Sequence, residues 1–223
     1  MRLIAFFTTL ALCTIVATAP ALADQGKDKK ASVSFFSGGS ASAGWAKTTP
    51  PPGDNDRWSI RLFVNGSGPT DYNDFAGADL LNVAGPAPVT APSFDFKADR
   101  TAASGGSPRL VMLFTDGGKM ELRPLAWVAN LWTHIDGTGP NWDIASPTCP
   151  FVYAGTYAMG LACHLGATVT DVFVVSDSGW LNPGGYVNWI DNISYDGAFV
   201  TRPGKGHGGN NDDNNGDSGD NDD

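Results

Sequence analysis

The chain has 223 residues, with 14 basic and 23 acidic side chains, a formal net charge of −9 and an isoelectric point near 4.6. That balance argues against nucleic acid and against anionic membrane surfaces as partners, because both repel an acidic protein. All but one of the acids are Asp, the exception being Glu121, and Gly and Pro are abundant. Asp favours turns and caps where Glu favours helices, so a loop-rich, helix-poor fold is expected.

The chain begins "MRLIAFFTTLALCTIVATAPALADQ": one arginine, a long apolar run, then Ala-Leu-Ala before Asp24. This is the layout of a secretory signal peptide cleaved after residue 23. A lipoprotein reading fails, because bulky Leu12 precedes Cys13 and more apolar residues follow it. Cleavage would remove Cys13 and one arginine, leaving 13 basic and 23 acidic side chains and the single pair Cys149 and Cys163. In an oxidising compartment such a pair is expected to form a disulfide. No second apolar run approaches the length of a membrane span, so no membrane insertion is expected after cleavage.

Residues 24–31 read as a polar leader and residues 32–203 as one β-domain. "VSFF" at 33–36 is the first expected strand. "RWSIRLFV" alternates Trp58, Ile60, Leu62 and Val64 with Arg57, Ser59 and Arg61, the period of a half-buried strand. "SFDFK" at 93–97 reads likewise. "SPRLVMLFTDGGKMELRP" is the clearest hairpin, two strands flanking Asp116-Gly117-Gly118. Strands are also expected in "LAWVANLWTHI" and in "TDVFVV" at 170–175. "GTYAMGLACHLGATV" reads instead as a short helix, with Tyr157, Leu161 and His164 at helical spacing, Gly166 as its C-cap and Cys163 in its last turn. After Pro203 the composition collapses to "GKGHGGNNDDNNGDSGDNDD", which has no apolar side chain and is expected to be a disordered acidic tail over 204–223.

Short strands punctuated by Gly, Pro and Asp clusters imply an all-β, jelly-roll-type β-sandwich with one short helix. Within it, "YVNWIDNISY" places Val187, Trp189, Ile193 and Tyr195 on one face by strict alternation, and Asp191 falls in that same apolar row.

Catalytic constellations are scarce. Glu121 has no acidic neighbour in register, no pair of Asp stands out as a glycosidase pair, and His134, His164 and His207 lie in places where a lone His is structural. "GDSG" at 216–219 matches the nucleophile motif of trypsin-like proteases only by composition. Residues 211–222 imitate a calcium loop but lack its bidentate Glu. The tryptophans are a better lead. Trp142 in "DGTGPNWD" and Trp180 in "DSGWLNPGG" sit in polar loops, with Asp143 and Asn182 beside them. A displayed ring next to hydrogen-bonding groups suits a sugar surface; the bland alternative is that each ring plugs one end of the sandwich.

"VFVVSDSGW", a Gly-rich turn and "YVNWIDNISYDG" together resemble the closing hairpin of carbohydrate-binding-module-like jelly rolls of secreted bacterial proteins, and "GSPRLVMLF" and "LWTHID" resemble their middle strands. The resemblance, over about Val33 to Val200, implies a secreted, non-enzymatic sandwich that binds carbohydrate or a cell-surface polymer. A glycan-active enzyme and a structural surface or matrix protein are the alternatives. In such modules the Asp of the final strand often holds a structural calcium, which would give Asp191 a metal-binding role. A buried pair between Asp191 and Arg109 is the competing expectation.

Overall fold

The computed structural model describes residues 32–65, 74–100, 108–177 and 185–200. The leader, the apolar N-terminal run and the acidic tail lie outside the described residues. Two antiparallel sheets pack face to face. The strands are β1 (Val33–Gly38), β2 (Ser42–Lys47), β3 (Trp58–Val64), β4 (Phe75–Leu80), β5 (Ser93–Ala98), β6 (Arg109–Phe114), β7 (Lys119–Leu122), β8 (Thr133–Asp136), β9 (Trp142–Ala145), β10 (Val152–Gly155), β11 (Val169–Asp177), β12 (Tyr186–Tyr195) and β13 (Ala198–Phe199).

One sheet runs β1-β4-β11-β6-β7-β9-β10 and the other β2-β3-β12-β5-β8, with β13 paired to β12. Four consecutive strands of each, β4-β11-β6-β7 and β3-β12-β5-β8, exchange the chain between sheets in the winding of a jelly roll. The inward rows form the core: Ile60, Leu62 and Val64 from β3, Phe94 and Phe96 from β5, Leu110 and Met112 from β6, and Val172 and Val174 from β11 are all fully buried.

The strongly alternating segments became strands where expected. β2 "SAGWAK" and β4 "FAGADL" carry Ala and Gly where a strand signal needs bulk, which hid them in the sequence. In "LAWVANLWTHI" only Thr133 onward is strand. The β6–β7 hairpin turns as expected, with Gly117 at φ +82° supplying the left-handed backbone. Among the described residues there is one helix, α1 (Tyr157–Cys163); it starts at Thr156, whose hydroxyl accepts from the Met159 N–H, and ends at His164. Its buried residues are Tyr157, Gly160 and Cys163, with Leu161 half-buried and the capping His164 buried too, so the expected Tyr157–Leu161–His164 row does face the core; Gly160 abuts the Met120 side chain, where a Cβ has no room. Gly166 adopts φ +81° two residues beyond the helix end. Cys149 and Cys163 form a disulfide with Cα atoms 5.5 Å apart. It ties the end of the helix to the loop before β10, and a bridge across this separation contributes about 3 kcal/mol.

Candidate functional site

The site is set by an irregularity in β12. Tyr186, Asn188 and Ile190 point into the core, and so do Ile193 and Tyr195, which is possible only if one residue in between breaks the alternation. That residue is Asn192, at φ +47°, inside a register shift between Asp191 and Ser194. The expected face is therefore split. Val187, Trp189 and Asp191 lie on the outer surface of the six-stranded sheet, and Asp191 does not interrupt the core row. The polar member of that row is Asn188, whose Nδ2 donates to Ser176 Oγ across the sandwich.

Asp191 is nevertheless sheltered. Its Oδ2 accepts from Ser59 Oγ at 2.7 Å and its Oδ1 accepts from the Asn192 N–H at 2.9 Å. Burial pushes its carboxyl up to about 6, Asp54 and Asp56 add repulsion, and the two hydrogen bonds pull the other way. The expected pairing with Arg109 does not occur. Arg109 belongs to β6 in the other sheet, where it meets Asp177 at 2.6 Å and Glu121 at 3.6 Å. Directly across from Asp191 on β5 stands Asp95, which lies 2.7 Å from His134 Nδ1 and accepts from Asn192 Nδ2 at 2.7 Å. The bulge residue thus ties the two carboxylates' strands together. Among the described residues no group of three or more His, Cys, Asp and Glu side chains could hold a metal ion.

One row further along the same face, the register sets Gly44 against Arg61, Arg61 against Trp189, and Trp189 against Lys97. Trp132 continues the row, because its neighbour Thr133 pairs with Phe96. The row crosses the sheet as cation, ring, cation, ring. Lys97 Nζ lies 5.0 Å from the centre of the Trp132 ring and 5.6 Å from that of Trp189, and Arg61 stacks over Phe63 at 5.2 Å. Both tryptophans are half-buried. The loop after β2 is drawn over the end of this row, since Thr48 Oγ1 accepts from Lys97 Nζ at 2.6 Å and the Thr49 carbonyl accepts from Trp132 Nε1 at 2.8 Å. Against the loop lies an open depression of about 380 Å³, lined by Lys47, Thr48, Thr49, Pro50 and Arg57. Lys47 in turn sits 5.5 Å over the Trp58 ring.

The residues singled out in the sequence as a sugar surface are placed differently. Trp142 is not in a loop: it opens β9, is fully buried against Tyr157 with ring centres 5.3 Å apart, and donates from Nε1 to the Gly137 carbonyl at 2.7 Å. Asp143 is buried beside it and paired with Arg123 at 2.6 Å. Neither is available to a ligand. Their flanking "DGTGP" is a turn feeding the strand, and a Trp at the first position of a strand reads in sequence like a loop residue. Trp180 and Asn182 lie outside the described residues. His164 is a core group, stacked on Phe114 at 4.1 Å with its Nδ1 2.8 Å from Asp116. Among the described residues the most exposed aromatic rings, Tyr153 and Phe151, sit at the free edge of the seven-stranded sheet.

No family model matches this chain, and no curated protein does either.

Proposed function

We propose that the protein is a secreted, non-enzymatic β-sandwich that binds carbohydrate or a cell-surface polymer, and that it does so with the outer face of the six-stranded sheet. The observation that carries this reading is the cross-strand row Arg61–Trp189–Lys97–Trp132, in which two indole rings alternate with two hydrogen-bond-donating cations on a flat, half-open surface. Rings of this kind stack on the apolar faces of sugars, and the cations and the neighbouring Asp95–His134 pair can reach hydroxyls. The signal-like N-terminus and the disulfide support export. The calcium suggested for the last strand has little to rest on among the described residues, because Asp191 is already satisfied by Ser59 and Asn192.

Affinity electrophoresis of the mature protein through gels containing soluble polysaccharides tests the proposal. Trp189→Ala and Trp132→Ala should each abolish the retardation while the melting curve stays cooperative. Unchanged retardation in both variants refutes this face as the binding surface.

A glycan-active enzyme is the second reading, and one observation favours it. Asp191 and Asp95 stand directly opposite each other on adjacent strands, and Asp191 has the raised carboxyl that a general acid requires. Release of reducing sugar ends from a polysaccharide panel, lost in Asp191→Asn, would decide for the enzyme.

A further inference from the structure

We infer that the protein forms a two-fold dimer in which β2 pairs antiparallel with β2 of a second copy, edge to edge. The inference is independent of the sugar-binding reading and stands on how the edges of the sandwich are protected. Among the described residues β1 pairs with β4 alone and β2 with β3 alone, and these two edge strands lie one over the other. β10 and β8 end the two sheets elsewhere. An open edge is a template for another strand, and proteins blunt it with charges, prolines or bulges. The β10 and β8 edges are blunted. β10 shifts register between Val152 and Gly155, Ala154 has φ +52°, and its N–H turns back to Asp143 Oδ1 at 3.3 Å. β8 is four residues long and carries His134 and Asp136. β1 "VSFFSG" and β2 "SAGWAK" have none of these devices. Each runs six residues in unbroken register with its neighbour, and Lys47, at the end of β2, is their sole charge.

The backbone is turned the right way. Thr48 donates to the Arg57 carbonyl, so the even-numbered residues of β2 bond to β3 while Ala43, Trp45 and Lys47 turn their N–H and C=O groups to the open side. In the same way Leu81 donates to the Ser32 carbonyl, which leaves Val33, Phe35 and Ser37 of β1 facing outward. The rings of Phe35 and Trp45 point into the sandwich and meet edge to face at 6.0 Å, yet both stay only partly buried. They form the rim of a core left open on this side. A second copy fits this edge because a strand paired antiparallel with itself is self-complementary. A two-fold axis through Trp45 sets Trp45 against its own copy and Ala43 against Lys47, with about six backbone hydrogen bonds. In a chain of net charge −9 copies repel each other, and they can meet here because neither edge strand carries an acid. The outward side chains of β2, Ser42, Gly44 and Ala46, are small, so the outer faces of two six-stranded sheets join without obstruction.

Sedimentation equilibrium of the full mature protein, from about 1 to 200 µM, should show the mass doubling with concentration. Ala43→Pro removes an outward N–H that β3 does not use, a place where an edge strand accepts proline. Gly44→Lys sets like charges on either side of the axis, at a position where a Cβ meets nothing within 4 Å. Each variant should weaken dimerisation about tenfold or more while its thermal melt stays cooperative. Gly44→Lys keeps the test decisive if Ala43→Pro misfolds. Tyr153→Lys, on the blunted β10 edge, should leave the dimer unchanged. A monomer at every concentration overturns the inference and leaves the edge to a strand of another protein. A dimer that both β2 variants leave intact, or that Tyr153→Lys breaks, overturns it too. Growth beyond a dimer means an open-ended stack and overturns the closed pair.

Discussion

The two sheets carry their positive charges in opposite ways. On the seven-stranded sheet, Arg109 and Arg123 are locked to Asp177, Glu121 and Asp143, and each ion pair bridges neighbouring strands of the sheet. On the six-stranded sheet, Arg61 and Lys97 rest on Phe63, Trp132 and Trp189. The first arrangement removes charge from the surface and fixes strand register. The second displays charge and leaves it unspent. The same residue types therefore do structural work on one side of the sandwich and are held ready on the other.

This contrast can be broken by substitution, and aromatic rings give the largest effect. Trp142→Ala should cost about 4 kcal/mol, because the ring is fully buried and its removal opens a cavity beside Tyr157. Trp189→Ala, on the half-open face, should cost far less. Urea denaturation of the two variants checks this, and equal losses would mean that Trp189 is a core ring too.

The cations come next. Arg123→Leu should destabilise by about 2 kcal/mol, because it strands the buried Asp143 carboxylate. Arg61→Leu strands no carboxylate among the described residues and should cost no more than about 0.5 kcal/mol. If the two losses prove similar in thermal melts, Arg61 has a structural partner and the division between the sheets fails.

A different lever on the same face is the pH dependence of Asp191. Its folded pKa, about 6, lies above the ordinary 3.8, so the folded protein holds the proton more tightly than the unfolded chain does. The stability linked to that proton is fully present below pH 3.8 and is lost as pH rises through 6. Asp79, also raised to about 6 by burial and by nearby Asp171, acts in the same direction. Asp191→Asn should therefore melt above the wild type at pH 8, with the gap closing toward pH 4. A variant that melts lower at every pH would mean that the charged carboxylate is itself stabilising, through a ligand or an ion.

Much of the fold is legible in the residues themselves. Alternation in "RWSIRLFV", "RLVMLF" and "KMEL", the Asp-Gly-Gly turn, the helical spacing after Thr156 and the single cysteine pair are all local signals, and local physics answers them. Pairing of side chain with face along a strand is also local, but only while the period of two holds. In β12 it fails at Asn192, an Asn that tolerates a left-handed backbone and ties itself to Asp95 on the next strand. Alternation counted across that point puts Asp191 in the core and Asn188 outside, and the reverse is true. A polar residue in an apolar row was a real signal, and it marks a bulge at Asn192 rather than a pairing with Arg109.

The composition and the periodicities by themselves determine that the chain is a β-sandwich with one disulfide and one short helix, because propensity, turn chemistry and hydrophobic period act within a few residues. Only the tertiary structure decides which rings are displayed. Arg61, Lys97, Trp132 and Trp189 come from four separate segments and become one row solely through the register of β3, β12, β5 and the start of β8. Trp142 is buried because the strand order sets β9 beside β7 and the helix against it. Register and sheet order are settled by contacts between distant parts of the chain, and no local pattern encodes them.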